Sequence, residues 1–179
     1  MTALVKHRTA DFEQPERGAS QYLTFLLDGE AFAVDILNIR EIIEFGNLTT
    51  VPLMPEFIRG VINLRGAVVP VVDLANRLGR PVGAVTRRTC IVILDVHADT
   101  PGSGHVVHTL GMVVDVVNEV LDINHADIEP APAFGTHIRS DFISGMGKVD
   151  SGFVIILDAN RVLSVDEMTR LDLSVAAGR

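Results

Sequence analysis

The stretch FIRGVINLRGAVVPVVDLANRL, residues 57–78, recurs in altered form as FISGMGKVDSGFVIILDANRVL, residues 142–163. At a constant offset of 85 positions, the two stretches share an aromatic residue, a glycine, several apolar residues and an aspartate. The matched pairs are Phe57 with Phe142, Ile58 with Ile143, Gly60 with Gly145, Val69 with Val154, Asp73 with Asp158 and Leu78 with Leu163. The alternative is a chance repetition of β-rich patterns, and the number of matches favours a true internal repeat.

Each copy of the repeat predicts a β-hairpin followed by a short helix. In the first copy, two apolar runs over 61–64 and 67–72 are joined by Arg65-Gly66, which is typical of a hairpin turn. Pro70 lies inside the second run and predicts an edge strand or a bulge, because proline cannot donate to a central ladder. Asp73 is placed to cap a helix over 73–78 that ends at Gly79.

The segments upstream of the two copies also resemble each other. Residues 34–38 read VDILN and residues 114–118 read VDVVN, while EIIE at 41–44 resembles EVLD at 119–122. Short strands joined by turns, with few helices, predict barrels or sandwiches. Because such small units cannot leave long strand edges free, we expect two closed barrels side by side. Their strands are predicted to come from roughly 21–88 and 89–163.

The remaining segments predict tails, turns and short helices around these strands. Residues 1–20 and 172–179 are predicted tails that flank one domain over 21–171. Within the domain, Asp28-Gly29 predicts a hairpin turn, and Pro55 predicts a helical turn over 56–59 that Gly60 ends. A terminal helix is predicted over 164–171, because Ser164 and Glu167 match a capping box. The stretch 97–108 is predicted to be an extended polar loop.

Composition and charge exclude several classes of function. Apolar residues make up 47% of the 179 residues and the formal net charge is −8, which favours a folded chain and disfavours nucleic-acid binding. No apolar stretch approaches the ~20 residues of a membrane span, and the basic residues near the N-terminus precede no apolar signal region. We therefore expect a cytoplasmic protein without direct membrane insertion.

The sequence contains no persuasive catalytic or metal-binding motif. Cys90 is the single cysteine and is predicted to be a small buried hydrophobe. His105 and His108 leave a metal site conceivable, but a solvated loop pair is the preferred interpretation. Asp73 and Asp158 could form an acid pair of a small hydrolase, yet a helix cap in each half explains them better. The sequence predicts no enzyme activity, no metal and no cofactor.

The segment from Val51 to Leu74, with its Asn-Leu-Arg-Gly and Pro-Val-Val-Asp-Leu blocks, resembles the signature of the CheW family. Residues 111–117, 130–132 and 142–147 resemble further parts of that signature. The resemblance covers roughly 21–171. It implies a mainly β fold, with two tandem five-stranded SH3-like barrels, short helices and a C-terminal helix.

The same resemblance implies a scaffold that couples methyl-accepting chemoreceptors to the regulatory domain of the histidine kinase CheA. Other CheW-like chains in receptor arrays are further expected partners. The receptor contact is expected at a groove near the first barrel, and the matching residues are Ile39, Glu41, Gly60, Asn63 and Arg65. Kinase coupling is expected to involve Gly145 and Met146. The functional alternative is a free-standing regulatory domain-like module of another two-component pathway.

The residues themselves agree with a binding surface on the first barrel. Arg65 at a hairpin tip could bind a partner carboxylate through two hydrogen bonds; the alternative is a solvated turn arginine. Apolar residues at a barrel rim, Ile39, Ile42 and Ile62, could receive a partner helix. For Ile42, however, core packing is the preferred interpretation.

Overall fold

The computed structural model describes residues 18–132, 138–150 and 152–165, which are mostly strands. The strands of this part are β1 Ala19–Leu27, β2 Glu30–Asp35, β3 Ile39–Glu44, β4 Ile58–Leu64, β5 Ala67–Asp73, β6 Cys90–Thr100, β7 Gly104–Val114, β8 Val116–Asn124, β9 Ile128–Glu129, β10 Ile143–Val149 and β11 Gly152–Leu157. Its α-helices are α1 Leu74–Arg77 and α2 Ala159–Val162. Short 3₁₀ turns occupy Ile36–Asn38, His125–Asp127 and Ser140–Phe142.

The strands form two curled sheets. Sheet one has the order β8-β1-β2-β11-β10-β9, and sheet two has the order β3-β6-β7-β5-β4. Each sheet surrounds its own apolar cluster, and each cluster contains residues from both outermost strands. In sheet one these are Ile123 and Ile128, and in sheet two they are Ile43 and Ile62. Because the edges of each sheet converge on one cluster, both sheets are barrel-like, which confirms the predicted mainly β fold.

The sheets exchange strands between the two halves of the chain. Sheet one joins the first hairpin, β1–β2, to β8–β11, whereas sheet two joins the hairpin β6–β7 to β3–β5. The prediction that the barrels divide near residue 89 was therefore wrong. The physical reason for the exchange is the parallel pairing of β2 with β11 and of β5 with β7. Parallel neighbours need a long crossover and cannot come from a tight hairpin.

A third and larger apolar cluster lies between the sheets and includes Phe25, Phe32, Leu94 and Leu157. Arg77 of α1 spans this region. Its Nε donates a hydrogen bond to the carbonyl oxygen of Val162 at 2.8 Å, and its guanidinium lies over the rings of Phe57 and Phe142 at 5.3 and 4.7 Å. Positions 77 and 162 are equivalent in the repeat, so the two halves meet at corresponding residues.

The local features of the repeat are confirmed. Asp73 Oδ1 accepts a hydrogen bond from the Asn76 amide at 3.2 Å, and Asp158 Oδ1 accepts one from the Arg161 amide at 3.3 Å. Both aspartates are therefore helix caps, as preferred from the sequence. The turn at Asp28-Gly29 is also present, with positive φ angles of 52° and 75°.

Pro70 lies in a part of β5 whose ladder pairs with β4 alone, because β7 pairs only from Val71 onward. The strand as a whole is nevertheless internal to sheet two. Proline is tolerated because no neighbour requires its missing N–H. The bulge in this hairpin lies in β4, between Ile58 and Gly60.

Three local predictions differ from the structure. Residues 58–60 belong to β4 and form no helical turn, because Ile58 pairs with Val72 across the hairpin. The stretch 97–108 is no loop, since His97 pairs with Val107 in a β6–β7 hairpin whose turn has positive φ angles at two glycines. Strand β1 begins at Ala19, two residues before the predicted start. The remainder of the amino-terminal tail, the carboxy-terminal tail and the terminal helix beyond position 165 lie outside the described residues.

Among the described residues, no helix is long and apolar enough to cross a membrane.

The exchange of hairpins predicts that neither half of the chain folds alone. A fragment of residues 1–88 and a fragment of residues 89–179 should each lack cooperative thermal unfolding, because each holds strands of both sheets. Mixing the fragments should restore it. Circular dichroism melts of each fragment and of the equimolar mixture measure this. A cooperative transition in either isolated fragment would contradict the exchange.

Candidate functional site

The β4–β5 hairpin ends in a tight turn at Arg65-Gly66. Both residues have positive φ angles, 51° and 87°, as a two-residue hairpin turn requires. The side-chain oxygen of Asn63 accepts a hydrogen bond from the Gly66 amide at 3.0 Å. This hydrogen bond links strand β4 to the turn, and it therefore fixes the orientation of the turn that carries Arg65.

Arg65 forms a two-point ion pair with Glu41 of β3. Its Nη1 lies 3.0 Å from Oε1, and its Nη2 lies 3.1 Å from Oε2. The Arg65 side chain is 77% exposed and that of Glu41 is 26% exposed. Arg65 is therefore exposed to a partner but already paired with a carboxylate of its own chain, so the interpretation as a purely solvated turn residue does not hold. We refer to Glu41, Asn63 and Arg65 as the rim cluster.

A groove of about 360 Å³ lies beside the rim cluster. It lies between β3 and β4 and is also lined by the segment that connects them, in which Thr49 pairs with Val61 of β4. Apolar side chains of Ile43 and Ile62 line it together with Asn63 of the rim cluster. A groove with an apolar floor and a charged pair at its rim can bind an amphipathic segment of another protein.

Exposed apolar residues lie next to the rim cluster. Val68 is directly opposite Asn63 in the hairpin and is 70% exposed, and Ile42 is 42% exposed. The preference for core packing of Ile42 was therefore wrong. Ile39 packs against the large cluster between the sheets, and Ile62 packs against the cluster inside sheet two. Alternation does not separate Ile39 from Ile42, because Ile39 pairs with Leu94 and Ile42 with Val92 across the register shift between Ile39 and Glu41, which puts both on the same face of β3.

Of the residues expected at the receptor contact, the structure brings Glu41, Asn63 and Arg65 together. Gly60 lies within β4 instead, where an added Cβ would be 2.7 Å from the carbonyl oxygen of Thr49. Its repeat equivalent, Gly145, lies in sheet one, where an added Cβ would be 2.5 Å from Cγ2 of Ile128. Both glycines allow a neighbouring segment to approach closely.

Met146 follows Gly145 in β10 and belongs to sheet one, apart from the rim cluster. It pairs with Glu129 on one side and with Ile155 on the other. Its side chain is partly buried against the large cluster between the sheets. The two residues expected in kinase coupling are therefore strand residues of the other barrel.

The close contacts of the two glycines predict a loss of stability on substitution. Gly60→Ala and Gly145→Ala should each lower the free energy of unfolding by about 1–3 kcal/mol, as overpacked substitutions do. Gly46→Ala is the matched control, because its Cβ would lie 4.0 Å from the nearest atom considered and should change stability by less than about 0.5 kcal/mol. Urea unfolding of the three variants measures this; equal stabilities would contradict it.

The interpretation of His105 and His108 as a solvated loop pair was wrong about the loop, although the His105 side chain is exposed. Both residues are in strand β7. His105 contacts His97 of β6, with 3.0 Å between Nδ1 of His97 and Nε2 of His105. His105 also contacts Asp99, with 3.1 Å between Nδ1 and the carboxylate. Sequence reasoning missed this cluster because the residues become neighbours only through the register of the hairpin.

The groups considered for catalysis have structural contacts. Asp73 is buried and paired with Arg59 at 2.8 Å, in addition to capping α1. Burial, with a smaller contribution from Glu44, raises the pKa of the Cys90 thiol, which disfavours the nucleophilic thiolate. No group of three or more side chains that could hold a metal ion occurs in the described ranges.

Comparison with known proteins gives consistent matches. The family model of the CheW-like domain matches residues 21–167. The chain is 30% identical to the chemotaxis protein CheW of Klebsiella aerogenes over 88% of this chain and 89% of that protein. It is 33% identical to the CheW of Bacillus subtilis over 79% and 85% of the two chains.

A solved structure with the same fold is the scaffolding protein TtCheW from Thermoanaerobacter tengcongensis. The TM-score is 0.71 at 32% sequence identity, over 82% of this chain and 89% of that one.

Proposed function

Since this chain belongs to the CheW family of chemotaxis scaffold proteins, we propose that it couples the cytoplasmic tips of chemoreceptors to the histidine kinase CheA. In this proposal it has no catalysis of its own and acts in the cytoplasm, held at receptor arrays through its partners. The observation that carries the proposal is the rim cluster beside the apolar groove of sheet two.

The receptor contact is proposed at the rim cluster and the groove. Receptor tips are helical, and a helix can place an apolar stripe into a groove while its charged residues meet the rim. Arg65 would present donors that an incoming carboxylate can share or take over from Glu41. Val68, which pairs with Asn63 in the hairpin, supplies exposed apolar area beside the rim cluster, as protein-binding patches do.

The kinase contact is proposed on the other barrel, near Gly145 and Met146. These residues lie in sheet one, whereas the rim cluster lies in sheet two. Two partners bound to different sheets need not compete for the same surface. The fold thus supports a bridging role, in which one face holds the receptor and another holds the kinase.

Reversing the charge of Arg65 should weaken receptor binding without unfolding the protein. Arg65→Glu places a second carboxylate beside Glu41 and removes the donors of the rim cluster. We expect at least about a tenfold loss of affinity for a soluble receptor-tip fragment. The melting temperature should change little, because exposed ion pairs contribute about 0–1 kcal/mol. Titration calorimetry and thermal melts measure the two quantities.

The matched control is the double variant Glu41→Arg with Arg65→Glu, which restores the intramolecular pair with the charges exchanged. It should melt like the unmodified protein and still bind the receptor tip weakly, because the exposed charge at the tip is reversed. Recovery of full affinity in the double variant would show that the pair only maintains structure, and would refute the direct contact.

The bridging role predicts that the kinase sediments with receptor-containing membranes only when this chain is present. Addition of the Arg65→Glu variant should leave the kinase in the supernatant, while the same variant still binds the kinase in solution. Centrifugation of the three-component mixture, followed by quantification of the kinase in the pellet, measures this. Equal amounts of pelleted kinase with and without the chain would count against coupling.

A further inference from the structure

One face of the β6–β7 hairpin carries two histidines and an aspartate. Asp99 lies directly opposite His105 in the register, and His97 shares the face of Asp99 because it is two residues away on the same strand. His97 Nδ1 lies 3.0 Å from His105 Nε2, and Asp99 Oδ1 lies 3.1 Å from His105 Nδ1. We refer to His97 and His105 as the histidine pair.

The hydrogen bonds assign the ring protons of the histidine pair. The Asp99 carboxylate can only accept, so Nδ1 of His105 carries the proton and donates it. The lone pair of His105 Nε2 is therefore directed at Nδ1 of His97. A carboxylate that orients an imidazole through its other nitrogen is a recurrent arrangement around metal-binding histidines. Here it turns the Nε2 lone pair toward His97, whose Nδ1 carries the proton of the 3.0 Å hydrogen bond between the two rings.

The base of this arrangement is anchored in the fold. The backbone amide of His97 donates a hydrogen bond to the side-chain oxygen of Asn160 in α2 at 2.8 Å. The rest of the hairpin is held by consecutive pairing from Cys90 with Val114 to Thr100 with Gly104. The histidine pair is thus carried on paired strands, which position ligands better than loops do.

We propose that the histidine pair binds a divalent transition-metal ion of the copper(II) class through His97 Nδ1 and His105 Nε2. Metal–imidazole bonds of about 2.0–2.1 Å span the 3.0 Å between these nitrogens with an angle of about 90° at the ion. That angle suits the tetragonal geometry of copper(II) or nickel(II) better than tetrahedral zinc.

The two rings supply the lone pairs without any change in net charge. His105 already holds its proton on Nδ1, facing Asp99. His97 Nδ1 donates to His105 in the metal-free hydrogen bond, so metal binding requires His97 to take the neutral tautomer with its proton on Nε2. Since no third ligand from the described residues converges there, water completes the coordination.

The test is a titration of the full chain with copper(II), followed by electron paramagnetic resonance. All variants carry His7→Ala, so that copper near the amino terminus does not add to the signal. The parent should bind one ion with hyperfine splitting from two imidazole nitrogens. His105→Ala and His97→Ala should each remove one nitrogen from the spectrum and weaken binding at least about tenfold.

Two further variants separate orientation from general effects of substitution. Asp99→Asn keeps both ligands but loses the orienting carboxylate, and it should weaken copper binding about 10–100-fold. His108→Ala is the matched control, because His108 lies on the opposite face of the same strand; it should leave affinity and spectrum unchanged. Thermal melts without copper should coincide for all of these variants. An unchanged affinity and nitrogen count in His97→Ala or His105→Ala would overturn the site.

Discussion

Each barrel of this protein is completed by a hairpin from the other half of the chain, and this exchange holds the molecule together. The hairpin β1–β2 ends in a strand that pairs in parallel with β11, and β6–β7 ends in one that pairs in parallel with β5. The large apolar cluster therefore contains residues of both halves. Arg77 adds a specific link, because it contacts the repeat-equivalent rings of Phe57 and Phe142 and the carbonyl of Val162.

The rim cluster depends on the closure of sheet two. Strands β3 and β4 are the outermost strands of that sheet, so Glu41 and Arg65 meet only because the sheet curls until its edges converge. The ion pair is too exposed to drive this curvature, since such pairs contribute about 0–1 kcal/mol. Burial of the apolar cluster that includes Val71, Ile91 and Ile93 stabilises this curvature instead. Packing inside the barrel thus creates the surface on which the scaffold is proposed to act.

Features that depend on neighbouring residues could be predicted from the sequence, and features that depend on register or strand exchange could not. The turn at Arg65-Gly66 and the caps at Asp73 and Asp158 follow from local chemistry, so they were predicted with their residues. The exchange of hairpins was missed, because a repeat does not show whether its copies pair with themselves or with each other. The contact of His97 with His105 was missed for a different reason, because only the continuation of the β6–β7 ladder brings the two residues together.

The two proposed binding sites depend less on the packed interior than the two close-packed glycines do. Asn63 and Arg65 of the rim cluster and both residues of the histidine pair lie on the hairpins β4–β5 and β6–β7, outside the apolar cluster that joins the halves. Gly60 and Gly145 differ, because each occupies a contact too close for a Cβ. A substitution at either glycine would first displace a neighbouring segment and would change the protein surface only as a consequence. Its effect on partner binding would therefore be indirect. If the rim cluster is the proposed contact, a substitution there changes binding at constant stability, and this difference separates a contact residue from a structural one.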